Sequence, residues 1–432
     1  MKQRLRALAR PFQHRDYRLY FAGQLLSFIG NWMQSAAQAW LVYRLTDAPV
    51  MLGLVAFAGQ APVFLLATVG GAVADRHGRQ RVLWYAQWCG LAIAAGLALL
   101  TASGHISAEL ILLFAALGGV VSAFEIPARQ ALLADLVGKK ELLGAVAMNS
   151  ALVNAARILG PMLAGLLIAV SGEAICFALN GLSYLAMILA LSRMQARTPI
   201  PAPGAFMAQA LDGLRFAFNT VPVRSLLALL AVASIMGSPY LVLMPVFARE
   251  VFAGGPRTLG LLLGAAGSGA LLGALVLASR DGVRGLGHWV VFAAAIFGVS
   301  LIAFSQARSL WLAVALLPAA GFGMIVQMAA TNTLIQVMAP DRLRARVLAV
   351  YSMTLLGMAP LGGLLAGALA HSLGARWTVS LGGAVCLIGA AVFYRRLPQL
   401  RAQAQAFIVA QGAASGEPPT GSTLPLATPR KP

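Results

Sequence analysis

The chain has 432 residues, 59% of them hydrophobic and only 10% charged, with a mean hydropathy of +0.80. Average soluble domains carry about 25% charged residues, so a soluble globular protein is excluded, because so few charges do not cover the surface of a chain this long. The formal net charge of +19 does not point to nucleic acid, since the basic residues sit in short segments between long apolar runs and not on one soluble face.

Residues 1–18 form a basic cytoplasmic segment. The apolar run that follows is too long for the core of a signal peptide and lacks a small-residue cleavage site, so it reads as a retained first helix. A spanning helix needs about 20 predominantly apolar residues. Twelve runs qualify, at 19–43, 49–74, 82–103, 108–133, 142–170, 174–193, 223–248, 257–279, 287–306, 309–337, 345–371 and 376–395. The expected fold is all-α and integral to the membrane, with both termini in the cytoplasm. On that placement only Arg44, Arg249, Arg257, Arg308 and Arg376 of the 32 basic residues fall on the far side, and Arg157 lies inside a helix. All the others lie on the cytoplasmic side, as the excess of basic residues in cytoplasmic loops requires.

The longest polar break, 194–222, divides the helices into bundles at 19–193 and 223–396. Its second part, MAQALDGLRFAFNTV, is amphipathic and reads as a helix lying on the cytoplasmic surface. Residues 397–432 read as a cytoplasmic, disordered tail on their Pro/Gly/Ser content. The halves also repeat. A shift of 202 residues brings Ser150 onto Ser352, Gly160 onto Gly362, Ala164 onto Ala366, Gly165 onto Gly367 and Gly172 onto Gly374, as in transporters built from paired repeats.

After the second run comes Gly71-Ala-Val-Ala-Asp75-Arg76-His77-Gly78-Arg79-Gln80-Arg81. Gly71 permits close approach of another helix, and Gly78 permits a tight reversal. Asp75 at a helix end suits an arginine or another helix's N-terminus. A generic basic turn would explain the same residues. The pattern G-x-x-x-D-R-x-G-R-x-R resembles the signature of the major facilitator superfamily over about residues 15–396. The resemblance implies twelve helices in two pseudo-symmetric six-helix bundles. It also implies a gating loop, Gly71, Asp75, Arg76, Gly78 and Arg79, in which Asp75 contacts the start of the eleventh helix near Arg344–Val347 in the outward-facing state. The repeat of this loop has Ser279 in place of Asp75, which weakens a second latch.

In the fifth run, Gly160-Pro161-Met-Leu-Ala-Gly165 is similar to the antiporter motif of exporters in that superfamily. Pro161 kinks the helix, and Gly160 and Gly165 thin one face for packing; an ordinary kinked packing helix has the same residues. The second-half counterpart, Leu361 to Gly367, keeps the glycines and lacks the proline. The segment from Phe124 to Asp135, with Ala147-Met-Asn149-Ser150, resembles the branch that holds the enterobactin exporter and macrolide efflux pumps.

Glu125 is the one acid away from helix ends and loops, with Arg129 one turn further on the same face. Either the two form a local ion pair that tolerates burial, or Glu125 carries a proton whose affinity Arg129 adjusts. Arg157 is the one deep basic residue. It either compensates an anionic cargo or a buried acid, or binds carbonyls opened by Pro161, and its depth is expected to differ from that of Glu125 by more than ~10 Å. In the first run Gln24, Ser27, Asn31, Gln34 and Gln38 share one helical face. The tenth offers Gln327, Thr331, Asn332 and Gln336. The resemblance makes helices one, four, seven and ten the cavity wall, so Gln24, Asn31, Trp32, Gln34, Gln38, Gln327, Met328, Thr331 and Asn332 are candidate lining, with interhelical packing the alternative for each.

Cys89, Cys176 and Cys386 lie in apolar runs without metal-type spacing and read as small hydrophobes. No Walker loop, HExxH or GxSxG is present, which argues against an enzyme or an ATP-driven pump; no cofactor or metal is expected. The expected protein is a monomeric secondary transporter in a bacterial inner membrane that uses protons to expel small molecules. Siderophores and drug-like compounds are both open as cargo, and uptake of a small solute is the alternative. The topology has a direct test. With the native cysteines removed, His105→Cys should react with an impermeant maleimide from outside the cell, and Gly282→Cys only from the cytoplasmic side. The opposite pattern rejects the placement.

Overall fold

A computed structural model describes residues 10–195, 214–280, 282 and 285–415. A short 3-10 turn, Arg10–Gln13, leads into twelve long helices. They are α1 (Arg15–Thr46), α2 (Pro49–His77), α3 (Arg79–Ala102), α4 (Ala108–Gly138), α5 (Gly144–Ser171) and α6 (Glu173–Ser192) in the first half. The second half has α7 (Val221–Val251), α8 (Pro256–Ala278), α9 (Leu286–Gln306), α10 (Leu310–Met338), α11 (Asp341–Leu373) and α12 (Ala375–Ser415). Among the described residues no strand is present.

Eleven of these helices are long and apolar enough to cross a membrane. The exception is α1, which has 32 residues but whose polar stripe from Gln24 to Gln38 dilutes its hydropathy. Leu65, Leu99, Val170 and Trp311 are each at least 69% exposed on the outer surface, an apolar belt suited to hydrocarbon. Three expectations need correction or limits. First, α7 is not a continuous α-helix: π turns at Ala233–Gly237 and Phe247–Val251 flank a 3-10 turn at Ser238–Leu241. Pro239 and Pro245 remove backbone donors within it and force the irregular geometry. Second, α12 runs on through Pro398 to Ser415 where a disordered tail is expected from 397; the added segment is rich in Ala and Gln, which favour helix. Residues 416–432 lie outside the described residues. Third, of the linker 194–222, residues 196–213 lie outside the described residues; of its amphipathic part, 214–219 is helical and leads through Thr220 into α7.

Glycine contacts display the duplication in three dimensions. In α5, Gly160 lies on α1 and Gly165 on α8; in α11, Gly362 lies on α7 and Gly367 on α2. A Cβ on Gly165 would stand 2.6 Å from the Pro256 carbonyl oxygen, and one on Gly367 2.8 Å from that of Pro49. The two seams α5–α8 and α2–α11 therefore bring backbones of opposite halves into contact. Along α2 and α11 the contacts run from Pro49 against Gly367 through Gly53 against Gly363 to Phe64 against Gly357, all in the half of the bundle away from the chain termini.

The cores follow the same division. At this far end one apolar cluster spans both halves, joining Trp40, Leu52, Ile168 and Phe177 to Tyr240, Phe247, Leu259 and Phe304. At the end that carries the termini the clusters are separate: Tyr17, Leu83, Leu132 and Leu191 in the first half, and Val223, Leu286, Ile335 and Leu397 in the second. The halves thus share a core at one end and keep their own at the other. Gly367→Leu should overpack the α2–α11 seam, at a cost of about 1–3 kcal/mol to this arrangement. Spin labels at Ala48→Cys and Ser372→Cys should then move apart in double electron–electron resonance. An unchanged distance distribution in folded protein would show that the seam does not hold the far end shut.

Candidate functional site

Arg157 stands at the middle of α5, 13 residues from Gly144 and 14 from Ser171. Its backbone marks the inner limit of the α5–α8 seam, for a Cβ on Gly267 of α8 would meet the Arg157 carbonyl oxygen at 3.4 Å. The guanidinium lies over the Trp32 ring, 5.3 Å from the centroid. Gly160, one turn on, makes this possible: its absent side chain lets α1 approach until a Cβ there would stand 2.5 Å from Trp32 Cβ. Tyr240, in the irregular part of α7, is close enough to interact electrostatically with Arg157. The antiporter-like motif therefore shapes this junction of α1, α5, α7 and α8, with Gly160 on Trp32, the Pro161 carbonyl against Gly260, and Gly165 against Gly260 and Pro256. Nε and Nη1 of Arg157 are both shielded and have no hydrogen-bond partner, and the same holds for the Tyr240 hydroxyl. The expected bonding to carbonyls opened by Pro161 is not made.

One turn along α1, Arg129 lies over Phe28 at 4.6 Å and donates to Glu125 at 2.7 Å. The pair is closely enclosed, with side-chain exposures of 17% and 7%, and Tyr20 of α1 and Tyr184 of α6 lie within its field. The expected local pair is thus formed. Phe28 and Trp32 are about 6 Å apart along α1, so the two arginines sit on successive turns, nearer in depth than the sequence implies. No ion pair links Arg157 to Glu125.

The polar stripe of α1 turns into its own bundle. Asn180 of α6 donates to Asn31 at 3.3 Å and Gln34 at 2.9 Å, Tyr184 donates to Asn31 at 2.7 Å, and Gln38 donates to the Ile111 carbonyl of α4 at 3.2 Å. Gln24 and Ser27 are buried, with the Gln24 Nε2 and the Ser27 hydroxyl unpartnered. On α10, Gln327 donates to the Leu229 carbonyl of α7 at 3.4 Å. Gln336 donates to Asn332, Thr331 is buried without a partner, and the Met328 carbonyl accepts from Tyr351 of α11. Asn31, Gln34, Gln38 and Gln327 accordingly join helices to one another. Of the α1 candidates, Trp32 is the one brought beside Arg157.

In the loop after α2, the close helix approach falls at Gly70 and not Gly71. A Cβ on Gly70 would meet the Ala123 carbonyl oxygen at 2.2 Å, whereas one on Gly71 would have ordinary contact with Pro127 at 3.7 Å. Gly78 turns the chain at φ 96°, and Arg76 is exposed. Arg79 clamps Asp75 at 3.0 Å and Asp135 of α4 at 2.8 Å. Among the described residues the partner of Asp75 is Arg79, one turn on in the chain, and not the start of α11.

Sequence reasoning missed the polar residues at the closed end. Tyr43 donates to Glu250, and Arg249 pairs with Asp47 at 2.5 Å, so α1 and α7 are joined across the halves. Arg44 pairs with Glu173 at 2.8 Å. It also missed Asn180, Ser183 and Tyr184 of α6, whose spacing within an apolar run was the available signal. Among the described residues no group of three His, Cys, Asp or Glu side chains is placed to hold a metal.

The chain resembles known proteins over nearly its whole length. It is 28% identical to the staphyloferrin A transporter of Staphylococcus aureus, over 87% of this chain and 94% of that protein. It is 30% identical to the multidrug efflux pump Tap of Mycolicibacterium fortuitum, over 86% and 93%. Identity to the enterobactin exporter EntS of Shigella boydii is 28%, over 61% and 63%. A solved bacterial homologue of the iron transporter ferroportin, in an inward-facing state, superposes with a TM-score of 0.69 at 16% identity, over 88% of this chain and 98% of that one. The profile of the transmembrane secretion effectors matches residues 6–411, and with the twelve-helix fold this makes the chain a multi-pass membrane transporter of the transmembrane secretion effector family within the major facilitator superfamily.

Proposed function

We propose that this transporter expels small molecules from the cytoplasm across a bacterial inner membrane by alternating access, driven by protons, as a monomer with both termini inside. The observation that carries the reading is the arrangement of the cores: one shared by both halves at the far end, two separate ones at the other. The excess of basic residues at the separated end supports a cytoplasmic position for it, and on that reading the arrangement is inward-open. The names of two relatives, an efflux pump and an exporter, favour the outward direction of transport.

Small shifts between packed halves act as a two-state element. In the inward-open state Asp75 is held by Arg79; closing the cytoplasmic end frees it to meet the start of α11. Glu125 supplies the proton site. Here Arg129 donates to it at 2.7 Å, and losing one partner of an enclosed pair leaves a charge with no compensation. Opening to the outside separates or rehydrates the pair, and Glu125 takes a proton that it releases on return.

Glu125→Gln keeps the shape and removes the proton. In inverted vesicles it should abolish substrate accumulation driven by an acid interior, while exchange of labelled for unlabelled substrate at zero gradient continues. Full gradient-driven accumulation by the variant would refute Glu125 as the proton site.

A further inference from the structure

We propose that Arg157, which lies over Trp32, binds the carboxylate of an anionic, amphiphilic cargo. The proposal rests on the transport reading for calling that anion a cargo.

A guanidinium at mid-membrane depth is costly and is kept where it pairs with something. The other central arginine, Arg129, has its acid within 2.7 Å. Arg157 has none: two of its nitrogens are shielded and lack any hydrogen-bond partner. Trp32 below it contributes a cation–π contact, which fixes the plane of the guanidinium but accepts no N–H. A planar fork with unused donors is matched by a carboxylate, which accepts two parallel bonds. Tyr240 adds a hydroxyl, also shielded and unpartnered, that can donate to the same anion.

The surroundings define the rest of the ligand. Tyr240 lies on the 3-10 turn of the broken helix α7, and interrupted helices at mid-depth mark binding sites in transporters. Phe28, Ile29, Trp32, Leu152 and Val153 form an apolar cluster along α1 and α5 beside the arginine, which suits a hydrocarbon or aromatic body. The residue also stands where the halves part, at the inner limit of the α5–α8 seam. Arg157 and Trp32 belong to the first half and Tyr240 to the second, so an anion bridging them touches both moving parts, and its affinity differs between the two states.

The test uses the full chain in nanodiscs and two probes of nearly equal shape, salicylate and its uncharged amide, salicylamide. Salicylate should raise the melting temperature at concentrations where salicylamide does not, and Arg157→Gln should weaken salicylate binding by about 10- to 100-fold, the range for a hydrogen-bonded charge. Arg157→Lys, which keeps the charge and loses the fork, should fall between, and it serves if the glutamine variant does not fold. Equal binding of acid and amide, or salicylate affinity within about twofold of wild type in both variants, overturns the proposal. Binding is read without a gradient. Intact, Arg157-dependent salicylate binding in protein that moves nothing under an imposed gradient would refute the transport reading and leave the anion site standing.

Discussion

Backbone contact between the halves at one end sets everything else in this molecule. Gly53, Gly165, Gly260, Gly363 and Gly367 bring α2 onto α11 and α5 onto α8 without intervening side chains. Because these seams extend only to the middle of the bundle, the apolar core is shared at the far end and divided at the other. Arg157 falls at the limit of one seam, so its charge sits where the halves separate. The ion pairs of Arg249 with Asp47 and Arg44 with Glu173 lie at the outer edge of the closed end. Of the two only the Arg249–Asp47 pair crosses between the halves, and an exposed pair of this kind contributes about 0–1 kcal/mol, so the apolar cluster and the glycine seams provide most of the closure.

Two arginines on successive turns of α1's aromatic face show how context divides similar residues. Arg129 has its counter-charge on its own helix and is part of an internal pair. Arg157 has an aromatic ring and a hydroxyl but no acid. The distinction arises from neighbours on α1, α4 and α7.

Most of the architecture was legible in the sequence. Apolar run length and the sidedness of basic residues follow from the bilayer itself, and the 202-residue repeat reappears as paired glycine contacts on α5 and α11. The Glu125–Arg129 pair was legible because i,i+4 spacing on a helix fixes it locally. What was not legible depends on helix rotation and conformational state. The polar stripe of α1 has the periodicity of a cavity wall, yet Asn31 and Gln34 face Asn180 of α6, because a helix cannot announce which neighbour its polar face meets. The Gly70–Gly71 pair leaves the point of closest approach ambiguous by one residue, and the partner that Asp75 takes, Arg79, is one of several arginines in the same loop. The breaks in α7 were readable in part from Pro239 and Pro245. The extension of α12 to Ser415 was hidden by the Pro/Gly-rich composition further along.

The glycine seams also bear on electrical insulation. A membrane that stores a voltage cannot tolerate a thread of water through its transporters, because protons pass along such threads without any carrier. Side chains that interdigitate leave gaps when they change rotamer. Two backbones pressed together at Gly53 and Gly363, or at Gly165 and Gly260, have no rotamers to change. With the Phe247 and Phe304 rings packed at a tilt, 4.6 Å between centroids, the shared core at this end is a dielectric plug.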